Sequence, residues 1–263
     1  MISLCHSLYP WAKYRTQKGA VKLHLRLDHN GYLPDFATIT EGNTADITIA
    51  RTLRFNPDSI LVVDRGYYDF SWLYGLHQKG ITFVIRAKKD MSYSVLGQHN
   101  VSEESNVLSD EDIVVPWRHK PQKSLQPNYK DKLRLVTYLD PESGKTYRFL
   151  TNNESFSPET IALIYKQRWQ IELFFKWIKQ RLLIKSFIGT SKNAVFSQIW
   201  IALIVYLLIW YVKFQTSYKS SLTKLSRILN EMAFERIPLL DILGQRKGPP
   251  SFSPFSQMAF AFG

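Results

Sequence analysis

Residues 59–70 read SILVVDRGYYDF, a short apolar run that passes directly into charged residues. Ser59 to Val63 is almost wholly apolar, which is typical of a strand that is buried on both faces of a sheet. Asp69 can cap a helix over Phe70 to Gln78. Asp64 therefore stands at the carboxyl end of a strand, where open α/β sheets place ligand and metal sites. The alternative is an aspartate that only shapes the turn.

The segments on either side of this stretch complete a sheet pattern. Val21 to Asp28 alternates apolar and polar residues, and a turn signal separates it from Leu33 to Thr40, which predicts a hairpin. A helix is predicted over Thr44 to Phe55, and another strand over Ile81 to Ala87. The resulting order, β-β-α-β-α-β, predicts an α/β fold in which helices pack on a mixed sheet.

The chain changes character after residue 88. Polar linkers join short strand candidates, and the longest linker, His119 to Lys132, is predicted to be a mobile loop. The strand candidates are Ile113 to Trp117, Leu133 to Leu139 and Thr146 to Thr151. Ser157-Pro158-Glu159 is a strong helix start and predicts a long helix from Pro158 to about Ser186. Further helices are predicted over Asn193 to Phe214 and around Leu222 to Leu229.

The charge of the chain favours a polyanion as partner. Lys and Arg number 34 and Asp and Glu 22, so the net charge is +12, and 14% of the 263 residues are aromatic. This balance favours DNA or RNA binding, with a basic protein that has no nucleic-acid role as the alternative. The single cysteine, Cys5, excludes an internal disulfide and a cysteine zinc site, and it fits a reducing compartment.

One apolar run raises the question of a membrane span. Ile199 to Val212 reads IWIALIVYLLIWYV and carries no charge. A membrane-spanning helix needs roughly 20 apolar residues, and a run of about 10–14 is more often a core helix. We therefore expect a helix that the rest of the protein buries, no membrane association, and a cytoplasmic location.

The run YKQRWQIELFFKWIK carries four chemistry-bearing residues, Tyr165, Arg168, Glu172 and Lys179. Their helical spacing places them on one narrow stripe. A carboxylate between two cations on one face suits a metal ligand beside a phosphate. The alternative is a solvated face with ordinary helical ion pairs. Together with Asp64, Glu172 would be a pair of hard oxygen ligands for Mg²⁺, although such a site normally has a third carboxylate.

These residues resemble the insertion-sequence-four family of DDE transposases, which have a ribonuclease-H-like core. The family pattern of Tyr, two residues, Arg, three residues, Glu, six residues, Lys is matched by the four residues above, and its DRGY segment by residues 64–67. The stretches PWAKYRTQKGAVKLHLRLDHNGYLP and FFKWIKQRLLIKSFIGTSKNAVFSQIWIALIVYLL are similar to family sequence too. The resemblance runs from about residue 2 to residue 245.

The resemblance implies residue roles and ligands. Asp64 and Glu172 would be catalytic and would bind two Mg²⁺ or Mn²⁺ ions in the complete enzyme. Contacts to DNA near the cut would come from Tyr165, Arg168, Lys179 and Arg65. The partners would be double-stranded DNA, as transposon ends and target, and full-length transposase or a second copy of the chain. The protein would work in the bacterial cytoplasm, at the nucleoid.

The chain also departs from the family pattern. The first aspartate of the family triad ends the first core strand, a few residues before the text that matches Ile2. We therefore expect a ribonuclease-H-like mixed sheet without its first strand. Asp28 at a hairpin turn and Asp46 near a helix start are poor substitutes for that aspartate. The expected function is DNA strand cleavage and transfer in a fragment that is inactive as given; the alternative is a truncated product that binds DNA or transposase and inhibits transposition.

The resemblance divides the chain into five expected parts. They are the first part of the core (1–88), a β-rich insertion (89–153), the second part of the core with the Glu-bearing helix (154–214), a helical C-terminal region (215–247) and a disordered tail (248–263).

Overall fold

The computed structural model describes residues 1–5, 7–15, 18–116, 129–181, 187–232 and 234–243. The chain divides into two compact units, Met1–Phe175 and Lys176–Gly263. The first unit contains two sheets with helices, which is the mixed α/β architecture of a ribonuclease-H-like fold. The boundaries of the five parts proposed from the sequence stay predictions.

A four-stranded antiparallel sheet begins the first unit. Its central strand pairs with all three others, and the predicted hairpin, β3 with β4, is confirmed. Gly31 turns the chain between them with a φ of 93°, a conformation that favours glycine. The strands are β1 (Ile2–Leu4), β2 (Lys13–Arg15), β3 (Lys18–Asp28) and β4 (Leu33–Glu41).

The helix predicted over Thr44 to Phe55 is much shorter than expected. Helix α1 covers only Asp46–Ala50, and its N-cap residue, Ala45, makes no side-chain capping bond. The Thr52 hydroxyl donates to the Ile49 carbonyl oxygen at 2.7 Å and occupies an acceptor at the helix end. Three β-branched residues in five also lower the helix propensity, so nothing extends the helix to Phe55.

The DRGY segment lies between a strand and a helix, as predicted. Strand β5 (Ile60–Val63) leads through a short 3₁₀ turn over Arg65–Tyr67 into helix α2 (Phe70–His77). The Asp69 carboxylate accepts from the Trp72 backbone N–H at 2.9 Å and caps this helix. The chain then returns as β6 (Thr82–Arg86), which pairs with β5 in parallel.

Strand β5 is less buried than its apolar sequence predicts. It stands at the edge of a six-stranded sheet, where β6 is its neighbour, and Ile60 is exposed. The prediction of a strand buried on both faces was therefore wrong for this chain. Within the described residues β5 pairs on one side only, so its apolar side chains lack a second neighbouring strand.

The predicted β-rich insertion continues the same sheet. It supplies β7 (Ser94–Gln98), β8 (Val107–Val114), β9 (Leu133–Asp140) and β10 (Lys145–Thr151). Strand β10 pairs with β6, and the order of the sheet is β5-β6-β10-β9-β8-β7. The strand predicted over Ile113 to Trp117 was misplaced, since β8 begins six residues earlier and ends at Val114. The first part of β8 was missed in the sequence analysis because this part contains several acidic residues. In the structure one of them, Asp110, is buried, and its charge is paired with Arg134.

The loop predicted over His119 to Lys132 falls largely outside the described residues. Tyr129, near its end, is buried and contacts Phe70, Tyr74, His77 and Phe83. This end of the predicted mobile loop is therefore part of the hydrophobic core.

The long helix predicted from Pro158 is interrupted at Arg168. Helix α3 (Pro158–Gln167) begins at a Ser157 cap, and helix α4 (Trp169–Arg181) follows after one residue. The Arg168 N–H donates to the Tyr165 carbonyl oxygen, and Ile171 N–H donates to that of Arg168, so three-residue hydrogen bonds replace the α-helical pattern here. Residues 182–186 lie outside the described part of the chain.

The second unit is helical. It contains α5 (Lys192–Gln215), α6 (Leu222–Glu231) and α7 (Leu239–Ile242), and Ile209, Leu225 and Leu243 form its buried core. The helices predicted from Asn193 and around Leu222 are confirmed. The tail from residue 248 lies outside the described residues.

Helix α5 is only partly buried, contrary to the expectation. Its buried side includes Val195, Ile199, Leu203 and Tyr206, while apolar side chains such as Ile201 and Phe214 are exposed. Among the described residues it is the one helix long and apolar enough to cross a membrane, with 33% of its most apolar window buried. A core helix passes the same test, so this composition is weak evidence for a membrane span.

Candidate active site

Asp64 lies in the turn that follows β5, and its carboxylate is exposed. The Gly66 backbone N–H donates to Asp64 Oδ1 at 2.7 Å, which fixes the side-chain orientation. A Cβ on Gly66 would lie only 2.9 Å from the same oxygen. Glycine therefore keeps open the space in front of the carboxylate.

The junction between α3 and α4 brings the other predicted residues together. The Arg168 guanidinium donates from Nη2 to Glu172 Oε1 at 2.6 Å and lies 5.6 Å from the centre of the Tyr165 ring. Arg168 Nε is buried and has no hydrogen-bond partner among the described residues. A buried donor without a partner carries an energetic cost, so its position beside Glu172 points to a functional role.

One cleft of about 290 Å³ joins these two places. Five of the six residues predicted from the sequence line it, and the glycine of the DRGY segment and Arg86 complete the lining. The five are Asp64, Arg65, Tyr165, Arg168 and Glu172. The cleft thus has two carboxylates and three arginines on adjoining walls, an arrangement suited to a divalent cation next to a phosphate group.

Arg86 was missed in the sequence. It is the last residue of β6, and its guanidinium lies 4.6 Å from the centre of the Tyr147 ring. Because β5 and β6 are parallel, their carboxyl ends share one edge of the sheet. The rule that drew attention to Asp64 would have found Arg86 as well.

Asp46 was dismissed in the sequence, yet it lies beside Asp64. Its Oδ2 is 4.0 Å from the position that a Gly66 Cβ would occupy, and its Oδ1 lies 3.3 Å from Lys22 Nζ and 3.5 Å from His24 Nδ1. Helix α1 packs against the 3₁₀ turn and brings Asp46 there. No local sequence signal indicates this contact, which joins residues 18 positions apart through tertiary packing.

The two phenols of the site hold their protons. Burial raises the pKa of Tyr67 to about 12, and the nearby charges of Asp46 and Asp64 add to the effect. Burial also raises the pKa of Tyr165, although Arg168 and Arg86 oppose the shift. Both side chains are therefore neutral near pH 7 and can donate a hydrogen bond to an anion.

The guanidinium of Arg168 is held in its charged form. Burial opposes the charged form of Arg168, but the hydrogen bond to Glu172 and the electrostatic effects of Tyr165, Glu172 and Asp64 together outweigh it and raise the pKa of the guanidinium. Glu172 keeps 41% of its side chain exposed. Its carboxylate therefore remains accessible while Arg168 holds it in place.

The cleft lining does not include Lys179, the sixth predicted residue, or Asp28, which was set aside in the sequence analysis. Lys179 is exposed on α4 and belongs to the second unit. Asp28 is exposed in the hairpin turn, where its carboxylate accepts from the Asn30 backbone N–H. Among the described residues, no group of three His, Cys, Asp or Glu side chains is arranged closely enough to hold a metal ion unaided.

Comparison with known proteins shows which family the chain is similar to. Residues 1–208 match the model of the transposase DDE domain. The chain is 31% identical over 261 residues to a transposase of Sinorhizobium fredii, which covers 96% of this chain and 71% of that protein. It is 30% identical to a transposase for an insertion sequence element of Geobacillus stearothermophilus, over 81% of this chain and 55% of that protein.

A third relative is a transposase for an insertion sequence element of Synechocystis, 31% identical over 160 residues, and the match covers 60% of this chain and 43% of that protein. The matched parts thus range from less than half to about 70% of these relatives. The family match nevertheless covers most of the chain and includes the whole cleft. The chain belongs to the DDE transposase domain family.

Proposed function

We propose that this chain acts in the transposition of an insertion sequence, with DNA strand cleavage and strand transfer at the cleft between Asp64 and Glu172. The observation that carries the proposal is the cleft itself. Strand β5, strand β6 and the α3–α4 junction are distant in sequence, and each contributes a charged side chain to it. Family membership supplies the reaction class, and the residue roles are inferred from the cleft and the family signature.

The residues of the cleft fit a divalent cation. Two carboxylates supply hard oxygen ligands of the kind that Mg²⁺ and Mn²⁺ prefer. The space in front of Asp64 is held open by Gly66, where a Cβ would stand 2.9 Å from the carboxylate oxygen. Asp64 and Glu172 would hold the metal, and a bound cation would polarise a phosphate oxygen and activate a water molecule.

The cationic residues would bind the DNA phosphates. Arg168 lines the cleft, and its Nε is buried without a hydrogen-bond partner among the described residues. Arg65 also lines the cleft and is exposed. Guanidinium groups bind phosphate oxygens with geometric specificity and neutralise charge that develops at the phosphorus. Tyr165 would add a neutral hydrogen-bond donor. Lys179 joins this set by the family spacing alone.

Each residue then has a defined part in the reaction. The cations hold the scissile phosphate in the cleft, and the carboxylates position the groups that attack it. Attack by water would release a 3′-hydroxyl at the transposon end. Attack by that hydroxyl on a phosphodiester of the target DNA would then join the two strands and release a 3′-hydroxyl of the target. The DNA partner places the protein in the bacterial cytoplasm, at the nucleoid.

We further propose that residues 1–263 by themselves cleave DNA at a negligible rate. The family triad has three acids, and the chain matches two of them, Asp64 and Glu172. Within the described residues β5 lacks a neighbour on one side, which is where the family's first strand would carry the third acid. The alternative function, a product that binds DNA or full-length transposase and inhibits it, follows if cleavage is absent and binding is retained.

The test compares two lengths of the chain on DNA from the ends of its insertion sequence. One is residues 1–263, and the other adds the coding sequence that precedes residue 1. With Mg²⁺ or Mn²⁺, the extended version should nick the transposon ends, and Asp64→Asn should abolish nicking. Asp35→Asn, which removes an exposed carboxylate on β4, is the control and should have little effect.

The outcomes separate the two functions. No cleavage by either length, together with tight DNA binding and inhibition of a complete transposase, would favour the inhibitor. Equal cleavage by both lengths would contradict the proposal that residues 1–263 are inactive. An active Asp64→Asn variant would contradict the assignment of the cleft.

A further inference from the structure

Asp46 lies outside the family signature but shares a small space with Asp64. A Cβ at Gly66 would be 2.9 Å from Asp64 Oδ1 and 4.0 Å from Asp46 Oδ2. The two oxygens are therefore no farther apart than the sum of these distances, and they approach that space from different elements. Gly66 leaves the space open.

The two oxygens of Asp46 have different surroundings. Oδ1 lies within 3.3 Å of Lys22 Nζ and 3.5 Å of His24 Nδ1, both on strand β3. His24 is itself fixed, because it is 5% exposed and its Nε2 is 2.8 Å from the Thr40 hydroxyl. One oxygen is thus held by β3, and the other faces the DRGY turn.

Asp35 provides a contrast with the same exposure. Both Asp35 and Asp46 keep 40% of their side chains accessible. Arg26 Nε donates to both oxygens of Asp35, at 2.7 and 2.9 Å, so that both are engaged in one closed pair. The ion pairs of Asp46 involve Oδ1, whereas Oδ2 lies 4.0 Å from the position of a Gly66 Cβ, in the space that Asp64 Oδ1 also borders.

The electrostatic environment agrees with this geometry. The negative fields of Asp46 and Asp64 both act on Tyr67, the next residue after Gly66. Two carboxylates that face one space repel each other unless a cation lies between or near them. Lys22 Nζ, 3.3 Å from Asp46 Oδ1, compensates part of this negative charge.

We propose that Asp46 is a further carboxylate of the metal site, which helps to hold the divalent cation bound by Asp64. This inference rests on the proposed function of the cleft. Lys22 and His24 are positioning residues that orient Asp46. Asp46 lies on a helix and not at the end of a central strand, so it raises cation affinity without replacing the first acid of the family triad.

The experiment measures Mn²⁺ binding to the 263-residue chain by titration calorimetry, without DNA. Asp64→Asn should weaken binding most. Asp46→Asn should weaken it roughly tenfold, as expected for loss of a group that supports a metal site. Asp35→Asn is the matched control and should bind Mn²⁺ like the unmodified chain. Melting temperatures without metal show whether each variant is folded.

A second measurement needs no variant. Fe²⁺ placed in the site, with ascorbate and peroxide, generates hydroxyl radicals that cut the backbone near the metal. Cuts around residue 46 as well as residue 64 support the proposal, whereas cuts around residue 64 without cuts around residue 46 overturn it.

The outcomes distinguish this proposal from the proposed function. If Asp64→Asn weakens Mn²⁺ binding and Asp46→Asn does not, Asp46 has no part in the site and the assignment of the cleft stands. If the unmodified chain does not bind Mn²⁺, or if Asp64→Asn has no effect on binding, both proposals fail.

Discussion

Two arginine–carboxylate pairs in the first unit have the same chemistry and opposite surroundings. Arg134 donates from Nε and Nη2 to both oxygens of Asp110, at 2.7 and 2.6 Å, and from Nη1 to the Phe156 carbonyl oxygen at 2.6 Å. Arg168 donates one bond to Glu172, and its buried Nε has no partner within the described residues. Asp110 is 2% exposed at its side chain and Glu172 41%.

The difference distinguishes a structural pair from one that can accept a ligand. The donors of Arg134 are used within the protein, and they connect β8 and β9 to the segment before α3. Arg168 makes fewer hydrogen bonds within the described residues, and the carboxylate beside it is accessible. A buried charge is tolerated when it is fully paired, whereas an incompletely satisfied pair in a cleft indicates a missing partner.

The largest expected effect is on the stability of the protein when the pair of Arg134 and Asp110, the closed pair of this comparison, is broken. Arg134→Met leaves the Asp110 charge buried without a partner, so the free energy of unfolding should fall by about 3–5 kcal/mol. Urea denaturation measures it. Arg168→Met breaks a partly exposed pair and should cost less than about 1 kcal/mol. Equal losses for the two variants would remove the distinction between the pairs.

A double substitution provides the control for that prediction. Replacing Asp110 and Arg134 together with leucine removes both charges, and most of the lost stability should return. Continued instability of the double variant would indicate that the hydrogen bonds to the Phe156 carbonyl oxygen matter more than charge pairing.

The next effect concerns DNA binding at the pair of Arg168 and Glu172, the open pair of this comparison. Arg168→Met should weaken binding of duplex DNA roughly ten- to hundredfold at low salt, the range for a lost hydrogen bond between charged groups. Binding by the unmodified chain should itself weaken steeply with salt, because phosphate contacts release counterions. Fluorescence anisotropy at several salt concentrations measures both quantities.

The matched control is Lys166→Met, two residues before Arg168 on α3. Lys166 is exposed and paired with Glu142, outside the cleft lining. Its loss should change DNA affinity much less than the loss of Arg168. A salt-independent affinity, or equal effects of the two substitutions, would argue against the cleft as the phosphate site.

A smaller effect is expected from filling the space beside Asp64. Gly66→Ala places a Cβ 2.9 Å from Asp64 Oδ1, so the carboxylate must move. Mn²⁺ affinity should fall by roughly tenfold, the lower range for disturbed ligand orientation. Gly75→Ala is the control, since its Cβ would meet nothing within 4 Å. Unchanged affinity in Gly66→Ala would show that the open space is not needed.

The smallest effect is a pH dependence near the closed pair. Burial opposes the charged form of Asp112, but hydrogen bonds from Lys132 and His99 outweigh it and lower the pKa of Asp112. Its contribution to stability is therefore present above the unfolded-state pKa of about 3.9 and is lost as the pH falls further. The stability difference between the unmodified chain and Asp112→Asn should shrink below about pH 4. A difference that is constant with pH would contradict this.

Much of the local structure could be predicted from the sequence. Helix caps at Asp69 and Ser157 and the hairpin of β3 and β4 depend on neighbouring residues, and each was placed correctly. The sequence predictions were wrong where a residue from a distant part of the chain changes the environment that the local sequence pattern implies. Strand β8 contains acids that a strand pattern does not predict, because Arg134 neutralises Asp110 from another strand.

The sequence by itself determined the family, the order of the elements from β3 to β6, and five residues that line the cleft. The spacing of side chains along one helix and the position of an acid at the end of a strand are local patterns. The helical and strand periods predict which way such side chains face without information about the rest of the fold. Only the tertiary structure decided that β5 stands at a sheet edge, that the long helix breaks at Arg168, and that Asp46 and Arg86 lie at the site. These features depend on packing between segments distant in the sequence, which no local period encodes.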